Sequence, residues 1–420
     1  MKRTLLLSII ALLAVGLMAQ VQKEVITGEG YANDVYYSLE NGTVTTVARN
    51  NWDLGFIAQV MSVSVLANNG AGVEVFTWPY GTIDDWASVD SASIDWTAMQ
   101  DSLLYNSIET FDMGALNANT IPGDYFDYGW GQYNVSTHVI TGDSLFIIKT
   151  ISGAYKKLAI IEKNPTANTW EFKYANLDGS GEQTVSLEAN TYIDKYFINY
   201  SLDSTKWVSR EPAVADWDLL FTRYYDYNIP YYVTGVLIND DHVLAQEVRE
   251  SGMDQATHNT FADSSFTDTI SVIGSDWKTF DMGSFTYLVN DTVVYYLKTY
   301  QDTDSSYYKI YFTAFSGSTE GKYTFMQEKL TLTSVPGTEE EQLLQVYPNP
   351  ATDRIHVVFD QNGPTDISLI DMTGRVIKST RYRGAGFTDY SLDISSLNPG
   401  IYFVQVGTGM NSKVLRFIKE

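Results

Sequence analysis

At 420 residues the chain is long enough for two to four compact domains, because a single core stops growing well before that length. Its 51 acidic side chains against 27 basic ones give a net charge of −24, and no cluster of Lys and Arg is present to neutralise phosphates, which excludes nucleic acid as a partner. There is no cysteine, which excludes disulfides, thiol catalysis and Cys-ligated zinc, so stability has to come from burial.

The first element is a leader over residues 1–19. Lys2 and Arg3 precede an apolar run from Leu5 to Met18, and the small Ala19 stands before the polar Gln20 and Gln22, the layout of a secretory signal peptide. The apolar run is shorter than the roughly 20 residues that a membrane-spanning helix needs. No other segment approaches that length, so the mature protein is expected to attach peripherally or not at all.

The body contains one unit twice. Asn51-Trp52-Asp53-Leu54-Gly55-Phe56 is followed by Phe111-Asp112-Met113-Gly114, Lys149-Thr150 and Trp170-Glu171-Phe172-Lys173-Tyr174. The same order returns as Asp216-Trp217-Asp218-Leu219-Leu220-Phe221, Phe280-Asp281-Met282-Gly283, Lys298-Thr299 and Lys322-Tyr323-Thr324-Phe325. The approaches match too, Val35 to Leu39 against Phe197 to Leu202. Residues 24–188 and 190–333 are therefore read as two homologous antiparallel β domains.

Alternating apolar runs supply the strands, 144–149, 158–161, 293–298 and 308–312 among them, and Asn, Asp and Gly clusters supply the turns. In the Trp-Asp-Leu-x-Phe motif the large side chains share one sheet face and point to core packing. The first unit alone carries an insertion that includes residues 121–133. Its Tyr125, Phe126, Tyr128, Trp130 and Tyr133, interleaved with glycines, are candidates for a recognition surface or for a buried hairpin corner.

These spaced motifs, with Asn68-Asn69-Gly70, Gly129-Trp130-Gly131-Gln132-Tyr133 and the run 152–158, resemble the HmuY family of all-β haem-binding proteins exported by Bacteroidota. The resemblance implies haem as a cofactor, gripped between two axial His or Met side chains placed between the Trp-Asp and Gly-Trp motifs. The first unit departs from this, with only Met61, Met99 and Met113 in that interval. The second offers His242, Met253 and His258 as candidate haem ligands, since imidazole and thioether both serve axially. The alternative is a non-catalytic adhesin or glycan binder on the same scaffold.

Four histidines leave little for a general base; His138 falls in a strand-like run, 135–140, and His356 in the tail. Neither a nucleophile elbow, a His-Glu-x-x-His helix nor a phosphate loop is present, so no catalytic residue and no metal site is assigned.

Residues 334–345 read as an acidic, Pro-Gly-containing linker. From residue 346 to 420, short evenly spaced strands broken by Thr373-Gly374 and Asn398-Pro399-Gly400 indicate a small immunoglobulin-like β-sandwich. Tyr347-Pro348-Asn349-Pro350, Gly374, Pro399-Gly400 and the basic end resemble the type A C-terminal sorting domain of the type IX secretion system. That resemblance implies an outer-membrane translocon as partner and a destination at the cell surface or in the medium, reached through the periplasm.

Overall fold

The computed structural model describes residues 20–301, 304–330, 344–361, 365–372, 375–382, 386–407 and 413–420. The leader at 1–19, most of the linker and Gly374 lie outside the described residues. The chain forms two units, Met1–Thr331 and Leu332–Glu420. Both are built of antiparallel sheets, as the alternating patterns require, and no helix among the described residues is long and apolar enough to cross a membrane.

In the body, strand pairing crosses the boundary drawn between residues 188 and 190. Val21–Ile26 joins the far end of the second repeat, pairing with Lys322–Leu330 in a five-stranded sheet that continues through Asp304–Phe315, Val293–Gln301 and Val243–Arg249. Asn33–Ser38 pairs with Leu219–Asp226, the strand that follows Trp217-Asp218. Reciprocally, Phe197–Ser201 pairs with Leu54–Ile57, the strand that follows Trp52-Asp53. Each repeat's lead-in strand thus completes the other repeat. An eight-stranded sheet spanning Glu74–Thr77 to Gln183–Glu188 finishes the first.

The exchange is stapled by the motif aspartates. Asp53 Oδ2 accepts the Leu202 N–H at 2.7 Å and Asp218 Oδ2 accepts the Leu39 N–H at 2.6 Å. In the opposite sense, the Asp53 and Asp218 N–H groups donate to the Tyr200 and Tyr37 carbonyls, both at 2.8 Å. Asn68 and Asn239 then occupy equivalent places: the side-chain amide of Asn68 donates to Arg49 and Trp52 carbonyls, that of Asn239 to Val214 and Trp217 carbonyls. These buried side chains satisfy backbone groups that would otherwise be stranded where the strands change partners.

Alternation along Asn33–Ser38 feeds two cores at once. Tyr36 packs with Trp217 in the cluster that holds Leu54, Phe56, Trp130, Trp170 and Phe172. Tyr37 packs with Phe221 and Phe325 in the cluster of the second repeat. Successive side chains on a strand point to opposite faces, so one strand can seal both.

Two local expectations are corrected. The matched Phe-Asp-Met-Gly landmarks diverge: Phe111 is buried in a turn, whereas Phe280 and Met282 stand out on the hairpin Lys278–Asp281/Thr286–Val289. Residues 135–138 form a turn in place of a strand, because Asn134 Oδ1 accepts the Ser136 and Thr137 N–H groups and His138 takes a positive φ of 60°.

The C-terminal unit has a three-stranded sheet, Leu344–Tyr347, Arg354–Gln361 and Gly386–Asp393, and a four-stranded one, Val376–Tyr382, Thr365–Asp371, Gly400–Val406 and Lys413–Lys419. Ile355, Val357, Phe359, Ile367, Leu369, Val404 and Phe417 fill the space between them. Tyr347 ends its strand at Pro348; its hydroxyl donates to Asp389, and its ring stacks on His356.

Candidate functional site

The strand exchange leaves a cavity of about 110 Å³ where the two repeats meet. Because the repeats are equivalent, the turns preceding the two motif strands converge, and both Trp52 and Trp217 line it. Tyr36, Phe111, Phe197, Leu220, Leu237 and Ile270 supply apolar wall; Arg210, Asp34 and Arg223 supply charge, and Glu211 adds a carboxyl group. Gly70 forms one edge. A Cβ there would lie 2.0 Å from the Arg223 carbonyl oxygen, so only glycine lets this turn close on the strand of the second repeat.

Electrostatics are set by three neighbouring groups. Asp34 accepts from Arg49 Nε at 2.8 Å, Arg210 Nη2 at 2.7 Å and Thr222 Oγ1 at 2.7 Å. Burial works against its ionisation, but the Arg210 and Arg49 guanidiniums outweigh that and hold the carboxyl below the usual carboxylate range. Glu211 goes the other way. Burial pushes its carboxyl up to about 8, although Oε2 accepts the Phe197 N–H at 2.7 Å and Arg210 stands nearby, so at neutral pH it is mostly protonated.

Three donors around this cavity have no hydrogen-bond partner: Nε1 of Trp52, Nε1 of Trp217 and Nε of Arg210. All three residues are more than nine-tenths buried, at 8%, 1% and 8% exposure. Buried polar groups are ordinarily paired, and these three nitrogens, each with less than 1 Å² of accessible surface, are closed off behind the cavity wall.

The residues singled out in the sequence fall elsewhere. His242 Nε2 lies 3.2 Å from Asp218 Oδ1 and Nδ1 lies 3.7 Å from Asp241, so its ring is held at the motif staple. His258 Nδ1 bonds the Tyr296 hydroxyl at 2.8 Å, and Met253 packs against the cluster of Val294, Tyr296 and Tyr311. None of the three lines this cavity or a second one beside the 121–133 segment. An axial ligand to a haem would have to use the other ring nitrogen, Nδ1 of His242 or Nε2 of His258, because Asp218 and the Tyr296 hydroxyl hold the first.

The aromatic segment divides. Tyr125 is 90% exposed and Phe126 47%. Phe126 stacks on Tyr133, whose hydroxyl bonds His138. Tyr128 packs against the main core, and Trp130 is fully buried, its Nε1 donating to the Val63 carbonyl at 3.0 Å. Trp130 is thus a core side chain, and the surface consists of Tyr125 and Phe126.

Sequence reasoning assigned Trp52 and Trp217 to packing alone and passed over Arg210 and Glu211. The signal was the duplication: a repeated buried Trp becomes a pair at any seam relating the copies.

Residues 345–420 match the secretion system C-terminal sorting domain. No curated protein matches the chain. The matched domain carries export through the type IX secretion system to the cell surface or beyond, and interaction with that machinery.

Proposed function

We propose that this type IX cargo acts outside the cell as a ligand-binding protein, with the cavity at the seam of the repeats as its site. The observation that supports the reading is the cavity of about 110 Å³ at the seam, its wall mostly apolar and shared by both motif tryptophans with Arg210 and Arg223. Small-molecule sites have this composition, a mostly apolar wall with a few convergent polar groups. The site draws on both repeats, which gives the strand exchange a functional consequence: neither repeat alone would enclose it.

The test is a ligand-observed NMR screen of a fragment mixture, with haemin titrated separately by its Soret band. Leu66→Trp and Leu220→Trp each place bulk at the cavity from a half-buried position. Fragments that bind the parent chain and are lost in both variants support the reading. Binding indifferent to both variants overturns it, and a sharp, saturable haemin spectrum would transfer the function to a haem site.

A second reading rests on Tyr125 and Phe126, the exposed pair beside the second cavity. A glycan array comparing the parent chain with Tyr125→Ala/Phe126→Ala tests whether they form a carbohydrate-stacking platform.

A further inference from the structure

Tyr105 and Tyr225 come from different repeats and stack face to face, with ring centroids 3.6 Å apart and planes 6° from parallel. Tyr105 follows the strand Leu103–Leu104 of the first repeat. Tyr225 lies in Leu219–Asp226, the strand of the second repeat that takes Asn33–Ser38 as its partner. Both side chains are half-buried, so small oxidants reach them. Their hydroxyls also lie close enough to interact. Parallel rings in contact whose hydroxyls are neighbours run in the same direction, which overlays the ring carbons ortho to each oxygen. Other tyrosine ring pairs are tilted and further apart: Tyr225 with Tyr232 at 5.1 Å and 71°, Tyr174 with Tyr200 at 6.1 Å and 62°, and Tyr382 with Tyr390 at 6.1 Å and 72°.

The ortho carbons are where phenoxyl radicals couple. A phenol that loses one electron and its proton becomes a radical whose unpaired spin is shared between the oxygen and those carbons. Two such carbons form a bond, each ortho hydrogen moves to its oxygen, and both phenols are restored as dityrosine. With hydrogen peroxide as the oxidant, two tyrosines and one peroxide give one dityrosine and two waters.

Placement makes the reaction selective. Tyr125 and Tyr231, at 90% and 69% exposure, project into solvent, so their radicals couple between molecules at a rate that falls with dilution. Coupling between rings already in contact is intramolecular and gains the high effective concentration of a preset geometry. In an exported chain with 30 tyrosines and no cysteine, such a bond does what a disulfide does elsewhere.

We infer that Tyr105 and Tyr225 are a site of oxidative cross-linking, joined by peroxide through a bond between their ortho carbons that ties the two repeats together at the seam. The inference is independent of what the seam cavity holds.

The test treats the full chain, lacking only the leader, with hydrogen peroxide and a peroxidase at several protein dilutions. The expected product is a monomer with the blue fluorescence of dityrosine, in a yield that dilution does not change. Proteolysis is expected to give one cross-linked pair of peptides, containing Tyr105 and Tyr225, lighter than their sum by two hydrogen atoms. Tyr105→Phe and Tyr225→Phe, which keep the stacked rings and remove one phenol each, are each expected to abolish this product. Tyr232→Phe is expected to leave it at the parental yield.

Dityrosine confined to dimers that vanish on dilution overturns the proposal. So does an intrachain link that maps to another pair or persists in both Tyr105→Phe and Tyr225→Phe. A chain left without dityrosine, in a mixture where added free tyrosine is coupled, overturns it as well.

Discussion

Asp34 and Arg210 meet at 2.7 Å with both side chains about 95% buried, joining the lead-in strand of the first repeat to the segment that enters the second. The same carboxylate holds Arg49, so a single aspartate anchors two guanidiniums beside the candidate site. Asp34→Ala would strand both charges in the interior. The expected cost is about 3–5 kcal/mol, read as a lower urea midpoint at unchanged slope. A loss below about 1 kcal/mol would mean the pair is solvated in solution.

The crossed staples are expected to behave as a matched set. Asp53→Ala leaves the Leu202 and Ile151 N–H groups without their acceptor, and Asp218→Ala leaves the Leu39 N–H and the His242 ring without theirs. Each lost buried bond costs about 1–3 kcal/mol, so the two variants should lose similar amounts of stability. Chemical denaturation compares them, and a loss below about 1 kcal/mol in either would contradict its assigned acceptor role.

Glu211 sets a pH dependence. Its carboxyl is raised from 4.5 in the unfolded chain to about 8 in the fold, so between those values the folded state holds a proton that the unfolded state has lost. Its contribution is fully present below about pH 4.5, declines as pH rises, and is gone above about 8. Across that window the change amounts to several kcal/mol, since each tenfold difference in proton affinity between the two states is worth about 1.4 kcal/mol. Glu211→Gln should flatten that slope; stability measured from pH 5 to 8 that still falls equally in the variant would exclude Glu211 as its source.

Lys278 acts with the opposite sign. Burial against Trp277 and Phe315 pushes its amine down from 10.5 to about 7, with Nζ donating to the Thr234 carbonyl. Between those values the unfolded chain binds more protons, so this residue makes stability rise with pH from about 7 to 10.5. Lys278→Met is expected to remove the rise, as followed by thermal melts at pH 7, 8.5 and 10.

Within the aromatic segment, Trp130→Ala should cost about 3–5 kcal/mol, whereas Tyr125→Ala should stay within about 0.5 kcal/mol of the parent. Urea melts separate them. Comparable losses would mean Tyr125 packs in solution.

Much of this was legible in the residues. The short, evenly spaced strands expected of the tail lie at Arg354–Gln361, Thr365–Asp371, Gly386–Asp393 and Gly400–Val406, because each is a short alternating run. The Trp-Asp duplication was visible for the same local reason. His242 stood out in the sequence as a candidate haem ligand, and only the fold reveals that Asp218, 24 residues earlier, holds its ring.

Residue order alone specifies the β architecture, the repeat and the secretion tail, since period-two patterning, turn residues and motif spacing are properties of neighbours along the chain. The exchange of the lead-in strands is settled only in three dimensions. An alternating strand buries the same side chains whichever copy it pairs with, so the pattern of residues 33–38 is indifferent to its partner. The seam cavity follows from that choice. Trp52 and Trp217 line one cavity only because the strands cross, and Arg210 finds Asp34 across 176 residues of chain for the same reason.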